Sequence, residues 1–175
     1  MFVKALKWEK IRRVLLYALY LLFALLLQSL LFSGIKVLGV RGFILPAAAV
    51  GAGMYLGGTK GAVFGLILGV FSDLSFTDST VLYTLLFSLI GFGAGFASDF
   101  FLNKSFPAFM VFSTAALLLT AFMQFLIAVI LHGAELIPGL LTVLLQVALS
   151  VLPAMLLYLP FRDRAKNSKK NKDLL

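Results

Sequence analysis

"GGTKGAVFGLILGVFSDL", residues 57–74, decides how this chain is folded. An apolar run from Phe43 precedes it, and after a short polar break a further apolar run begins at Val81. A single helix through 43–74 would carry Lys60 to mid-membrane, where a lysine costs about 2.5–3.5 kcal/mol or more. The "GGTKG" at 57–61 is instead predicted as a turn, because three glycines and a lysine are poor neighbours for acyl chains. Two short spans result, 43–58 and 61–76.

The rest of the chain follows the same grammar. It has 175 residues, 62% of them hydrophobic and 13% charged, with a mean hydropathy of +1.07. A soluble domain is nearer half apolar and a quarter charged. The excess comes in long blocks, which predict further spans at 14–33, 81–98, 107–131 and 139–161. Pro107 and Pro138 suit the first turns of the last two. The first block, Val14 to Ser33, is too long for a signal-peptide core and no A-x-A-like site follows it, so it reads as a retained helix. The expectation is an all-α integral membrane protein, a single six-transmembrane-helix bundle over 1–161, with 162–175 a basic, disordered tail. No cysteine is present, which excludes disulfides and thiolate metal sites.

A formal charge of +8 raises nucleic acid as a partner, but its distribution opposes that. Lys4, Lys7, Lys10, Arg12 and Arg13 precede the first block; Arg162, Arg164, Lys166, Lys169, Lys170 and Lys172 follow the last. Such residues flank spans on the cytoplasmic side and attract anionic lipids; they form no interleaved basic-aromatic surface for nucleic acid. With both termini cytoplasmic, Lys60 and Lys104 also fall inside, and of fifteen basic residues only Lys36 and Arg41 fall outside. A multi-pass protein of the cytoplasmic membrane is expected.

Gly53, Gly57, Gly61, Gly65 and Gly69 recur every four residues, and Gly91 and Gly95 repeat the spacing. Small residues four apart let helix backbones approach closely. With a turn interrupting the first series, Gly61, Gly65 and Gly69 are expected to face Gly91 and Gly95, either inside the bundle or as a dimer face. Asp73, four residues past Gly69, lies near that face. It is either solvated or capping the next segment, or it accepts hydrogen bonds from a loop or a partner. Gln28 and Gln146 are amides within spans and need partners there. Tyr83 and Tyr158 suit membrane interfaces, and His132 alone makes no metal site. H-E-x-x-H, G-x-S-x-G, P-loop and clustered-carboxylate patterns are all missing. The residues therefore argue for no enzyme, no cofactor and no metal, leaving a small-solute binder or a helix-docking protein.

"LLLQSLLF" (25–32), the proline-bearing second span with Pro46, and Gly65, Gly69 and Asp73 in a G-x-x-x-G-x-x-x-D run resemble the rod-shape-determining MreD family. The basic close "LPAMLLYLPFRDR" (152–164) fits as well. The chain departs from the family pattern at Ala47 after Pro46, and in "FTDSTVLY" (76–83) after the aspartate. The resemblance implies a non-catalytic scaffold of bacterial cell-wall elongation. Its implied partners are a bitopic MreC-like protein and the peptidoglycan synthase and glycosyltransferase complex; a homo-oligomer is a separate expectation, from the dimer-face reading of the glycines. It also implies a fold similar to the six-helix substrate-binding subunits of energy-coupling-factor vitamin transporters. Such a subunit is the rival reading, and a lipid-chemistry enzyme a third.

Overall fold

A computed structural model describes residues 2–32, 40, 42–75, 81–100, 104–133 and 135–161. Six α-helices account for nearly all of them: α1 Phe2–Phe32, α2 Leu45–Leu56, α3 Gly58–Ser75, α4 Leu82–Phe100, α5 Phe106–His132 and α6 Leu136–Ala154. A 3₁₀ helix, η1 Met155–Phe161, ends the described chain. The expected basic tail at 162–175 and the outer residues Lys36, Arg41 and Asp78 lie outside the described residues.

The turn expected at 57–61 is corrected to one residue. Gly57 alone leaves the helical path, at φ 98° and ψ 159°, a region in which only glycine is at ease. Its N–H still donates to the Gly53 carbonyl at 3.0 Å, and its own carbonyl accepts from Gly61 N–H at 2.8 Å. The reversal is therefore made without stranding backbone groups. Lys60 needs no loop to escape burial, because it sits in the first turn of α3 and is exposed.

Elsewhere the helices overrun the expected spans. α1 continues back to Phe2, and α4 runs through Asp99 and Phe100. α5 ends after His132 at Gly133, whose φ of 61° gives a left-handed cap. Pro138 is the third residue of α6, where a missing N–H costs nothing. Pro153 is less benign, since it removes a hydrogen bond from the helix interior. The chain tightens to 3₁₀ two residues later.

The short helix α2 is the axis of the molecule. Every residue from Leu45 to Tyr55 is buried, and α1, α3, α4, α5 and η1 all pack on it. Its own composition explains this, for alanine and glycine leave room for neighbours on every side. Around it, Phe43 stacks near Tyr83 and Phe87, with ring centroids 5.7 Å from each. At the opposite end Tyr158 contacts Tyr55, Phe106 and Phe109.

The outer helices turn the opposite way. Leu30, Leu89, Val111, Ile130, Ile137 and Leu152 are each exposed by two thirds or more of their surface. Soluble monomers do not present large apolar side chains on every flank; a bilayer accepts them. Three helical segments, Leu82–Asp99, Phe106–Leu131 and Leu136–Pro160, are long and apolar enough to cross a membrane. The apolar parts of α1 and α2, Leu15–Leu30 and Leu45–Leu56, are shorter. At 1.5 Å per residue, α2 reaches only about 18 Å of the roughly 30 Å of hydrocarbon.

Candidate functional site

Asp73 stands one turn from the end of α3, where the chain leaves for the 76–80 connection. Its Oδ1 accepts the backbone N–H of Tyr83 at 3.1 Å, and its Oδ2 accepts that of Thr84 at 2.9 Å. The Thr84 hydroxyl donates to the same Oδ2 at 2.5 Å. Tyr83 and Thr84 lie in the first turn of α4, whose leading N–H groups have no intrahelical acceptor. The carboxylate thus caps a helix from another helix, and its charge also meets the positive end of the α4 dipole.

That cap holds α3 and α4 in antiparallel register, and the glycines let them close. A Cβ added at Gly65 would overlap the Phe87 carbonyl, one at Gly69 the backbone of Thr84 and Tyr83, and one at Gly61 the carbonyl of Gly91. Gly95 is pressed against Gly58 in the same way. Gly53 of α2 also meets the Gly91 carbonyl. Gly53, Gly61 and Gly91 are therefore the point at which three backbones touch. Gly93, on the other side of α4, has no neighbour within 4 Å.

A second polar cluster secures the entry to α2. The Gln28 amide of α1 clamps the backbone, donating to the Gly42 carbonyl at 3.2 Å and accepting Ile44 N–H at 2.8 Å. Between them, Phe43 N–H donates to the Ser150 hydroxyl of α6 at 2.8 Å. That hydroxyl passes a hydrogen bond to the Gln146 carbonyl at 2.6 Å. The Gln146 side chain donates to Gln124 Oε1 of α5 at 3.0 Å, and the Gln124 side chain bonds that of Tyr83 on α4. Pro46, buried in the first turn of α2, has no N–H to satisfy. Four helices are thereby tied to the start of a fifth, each polar group meeting a partner within the chain.

Toward the other end, Tyr20 of α1 donates to the Ala48 carbonyl at 3.2 Å and Ser98 of α4 to that of Met54 at 3.2 Å. Lys104 pairs with Asp99 at 3.2 Å. Around Tyr20, α1 borders an apolar cavity of about 420 Å³ that Leu56 and Pro160 also line.

The structure gathers Gly61, Gly65, Gly69, Asp73, Gly91 and Gly95 on the α3–α4 contact, and sets Gln28 and Pro46 together at the α2 entry. Gly53, separated from its series by the expected turn, belongs to the contact after all, and Thr84 joins it although a threonine carries no sequence pattern. Gln124 has the same sequence signal as Gln28 and Gln146, an amide inside an apolar block. Among the described residues no three His, Asp or Glu side chains lie close enough to share a metal ion.

Fold and exposed surface together define an all-helical, membrane-embedded protein. A scan against protein-family models, a search of curated proteins and a search of solved structures each return no match.

Proposed function

We propose that this chain is a non-catalytic scaffold of the bacterial cell-wall elongation machinery, of the MreD type. In this reading it crosses the cytoplasmic membrane six times with both termini in the cytoplasm. There it docks a bitopic MreC-like protein and, through it, the peptidoglycan synthase and glycosyltransferase complex. One observation carries the reading: the residues of the resemblance, Gln28, Gly65, Gly69 and Asp73, are spent on locking helices to one another. A transport subunit needs polar groups converging on a cavity to orient its solute. Here Gln28, Gln124, Gln146 and Ser150 bond to backbone and to each other, and the cavity beside α1 is lined by leucines, Phe23, Pro160 and two tyrosines, of which Tyr20 spends its hydroxyl on the Ala48 carbonyl. What this rigid body offers to a neighbour is an apolar surface.

An even number of crossings is supported by Pro160 of η1, which lines the same cavity as Leu16 and Tyr17 in the first half of α1. The short reach of α2 is compatible with local thinning of the bilayer around a packed bundle. Purification of the full chain from its native membrane in mild detergent, with mass spectrometry of what accompanies it, tests the proposal. An MreC-like protein and cell-wall synthases are expected. Recovery of a coupling ATPase and its membrane subunit instead would replace this reading with the vitamin-transport one.

A further inference from the structure

The cavity beside α1 has a shape and a charge setting that name an occupant. α1 and α2 run antiparallel, Gln28 lying at Ile44 and Tyr20 at Ala48. The C-terminal end of α2 therefore points toward the basic start of α1. The cavity runs along α1 on both sides of Tyr20, walled by Leu19, Leu22, Phe23 and Leu26 of α1, Leu56 of α2 and Pro160 of η1. Its volume is about 420 Å³. A helix about 10 Å across fills that space with roughly one turn, so a transmembrane partner is too thick for it. A single flexible hydrocarbon chain is not.

Charge gathers at the same end. Lys60, exposed, stands four residues beyond Leu56 in the first turn of α3. Arg12 and Arg13 lie one helical turn before Leu16 and Tyr17, which also line the cavity. In sequence Arg162 and Arg164 follow Pro160 closely. In sequence Glu9 and Asp163 oppose them, two acidic residues against five basic. We propose that this cavity is a binding site for one anionic phospholipid, an acyl chain lying between α1, Leu56 and Pro160 and the phosphate headgroup at the end where α3 begins with Lys60 and where α1 carries Arg12 and Arg13 one turn before Leu16. The lipid fills a void that would otherwise cost packing contacts, and adds to the hold on α1 that the hydrogen bonds of Tyr20 and Gln28 provide. The inference stands apart from the cell-wall reading and needs only a membrane around the protein.

The test uses the full chain in nanodiscs of mixed phosphatidylglycerol and phosphatidylcholine, with native mass spectrometry counting lipids kept on release. One phosphatidylglycerol per chain is expected in preference to phosphatidylcholine. The double variant Leu19→Trp, Leu22→Trp, at two half-exposed positions, should fill the groove and lose that lipid. Leu144→Trp, on the far face of α6, should keep it. Removing charge by Lys60→Gln, Arg12→Gln and Arg13→Gln should cut the preference by about fivefold per residue while the chain site persists. Equal retention of both lipids by the unmodified protein overturns the proposal. So does undiminished retention in the tryptophan variant, or equal loss in Leu144→Trp. Should the tryptophan pair fail to fold, as judged by circular dichroism, the charge variants decide: an unchanged preference overturns the site.

Discussion

Thr84 meets the Asp73 carboxylate twice, through its backbone N–H at 2.9 Å and its hydroxyl at 2.5 Å. With Tyr83 N–H on the other oxygen, one side chain satisfies two orphan donors of a helix eleven residues further along. Hydrogen bonds to a charged acceptor contribute about 1.5–3 kcal/mol, roughly twice the neutral value. Asp73→Asn keeps one acceptor oxygen and loses the charge, so a loss of about 1–2 kcal/mol is expected in denaturation measured in detergent micelles. Asp73→Leu should cost about 3 kcal/mol or more, because both N–H groups lose their acceptor. Thr84→Val should cost about 1 kcal/mol alone and less in the Asp73→Asn background. Strict additivity of the two would contradict the shared contact.

The glycine contacts separate packing from mere glycine content. Gly65→Ala places a methyl group on the Phe87 carbonyl, and backbone cannot swing aside as a side chain can. Separation of α3 and α4 with a loss above about 2 kcal/mol is expected, read as reduced folded protein in membranes. Gly93→Ala meets open space and should be neutral, or stabilising by up to about 1 kcal/mol through helix propensity. Equal effects at the two positions would show that propensity, not contact, governs this pair of helices.

Much of this was legible because hydrocarbon is a strict solvent. The apolar blocks forecast each helix, and the four-residue glycine spacing forecast the face on which α3 and α4 meet. Lys60 forecast a break between α2 and α3, yet it did not show that one glycine suffices. That depended on Gly57 taking φ 98°, which no neighbouring residue announces. The partner of Asp73 was equally hidden, since capping by a residue of another helix has no fixed spacing. The cavity beside α1 leaves no trace in sequence at all, because Leu19 and Leu22 look the same whether they face a lipid, a cavity or a neighbour.

Orientation follows from charge. On the six-crossing expectation with both termini cytoplasmic, thirteen of fifteen basic residues fall on one side. A reporter active only outside the cytoplasm should be silent when fused after Leu175 and active when inserted between Lys36 and Arg41. Activity at Leu175 would require an odd number of crossings.

Gln28 gives the sharpest test of how α2 is held. Its amide serves an acceptor and a donor in one stroke, Gly42 carbonyl and Ile44 N–H, at the mouth of a helix with no water-facing side. Gln28→Leu preserves volume but leaves both backbone groups unpaired, and each costs about 1–3 kcal/mol when buried. Gln28→Glu retains the acceptor for Ile44 N–H but sets a carboxylate oxygen against the Gly42 carbonyl, so it should be no better than leucine. Gln146→Leu breaks only the contact to Gln124, a link of the kind that averages about 0.6 kcal/mol within membranes. The expected order of unfolding midpoints is unmodified protein, then Gln146→Leu, then both Gln28 variants well below. If Gln28→Leu instead unfolds with Gln146→Leu, the entry to α2 is held by Ser150 on Phe43 N–H, and α1 is a peripheral helix that the core does not need.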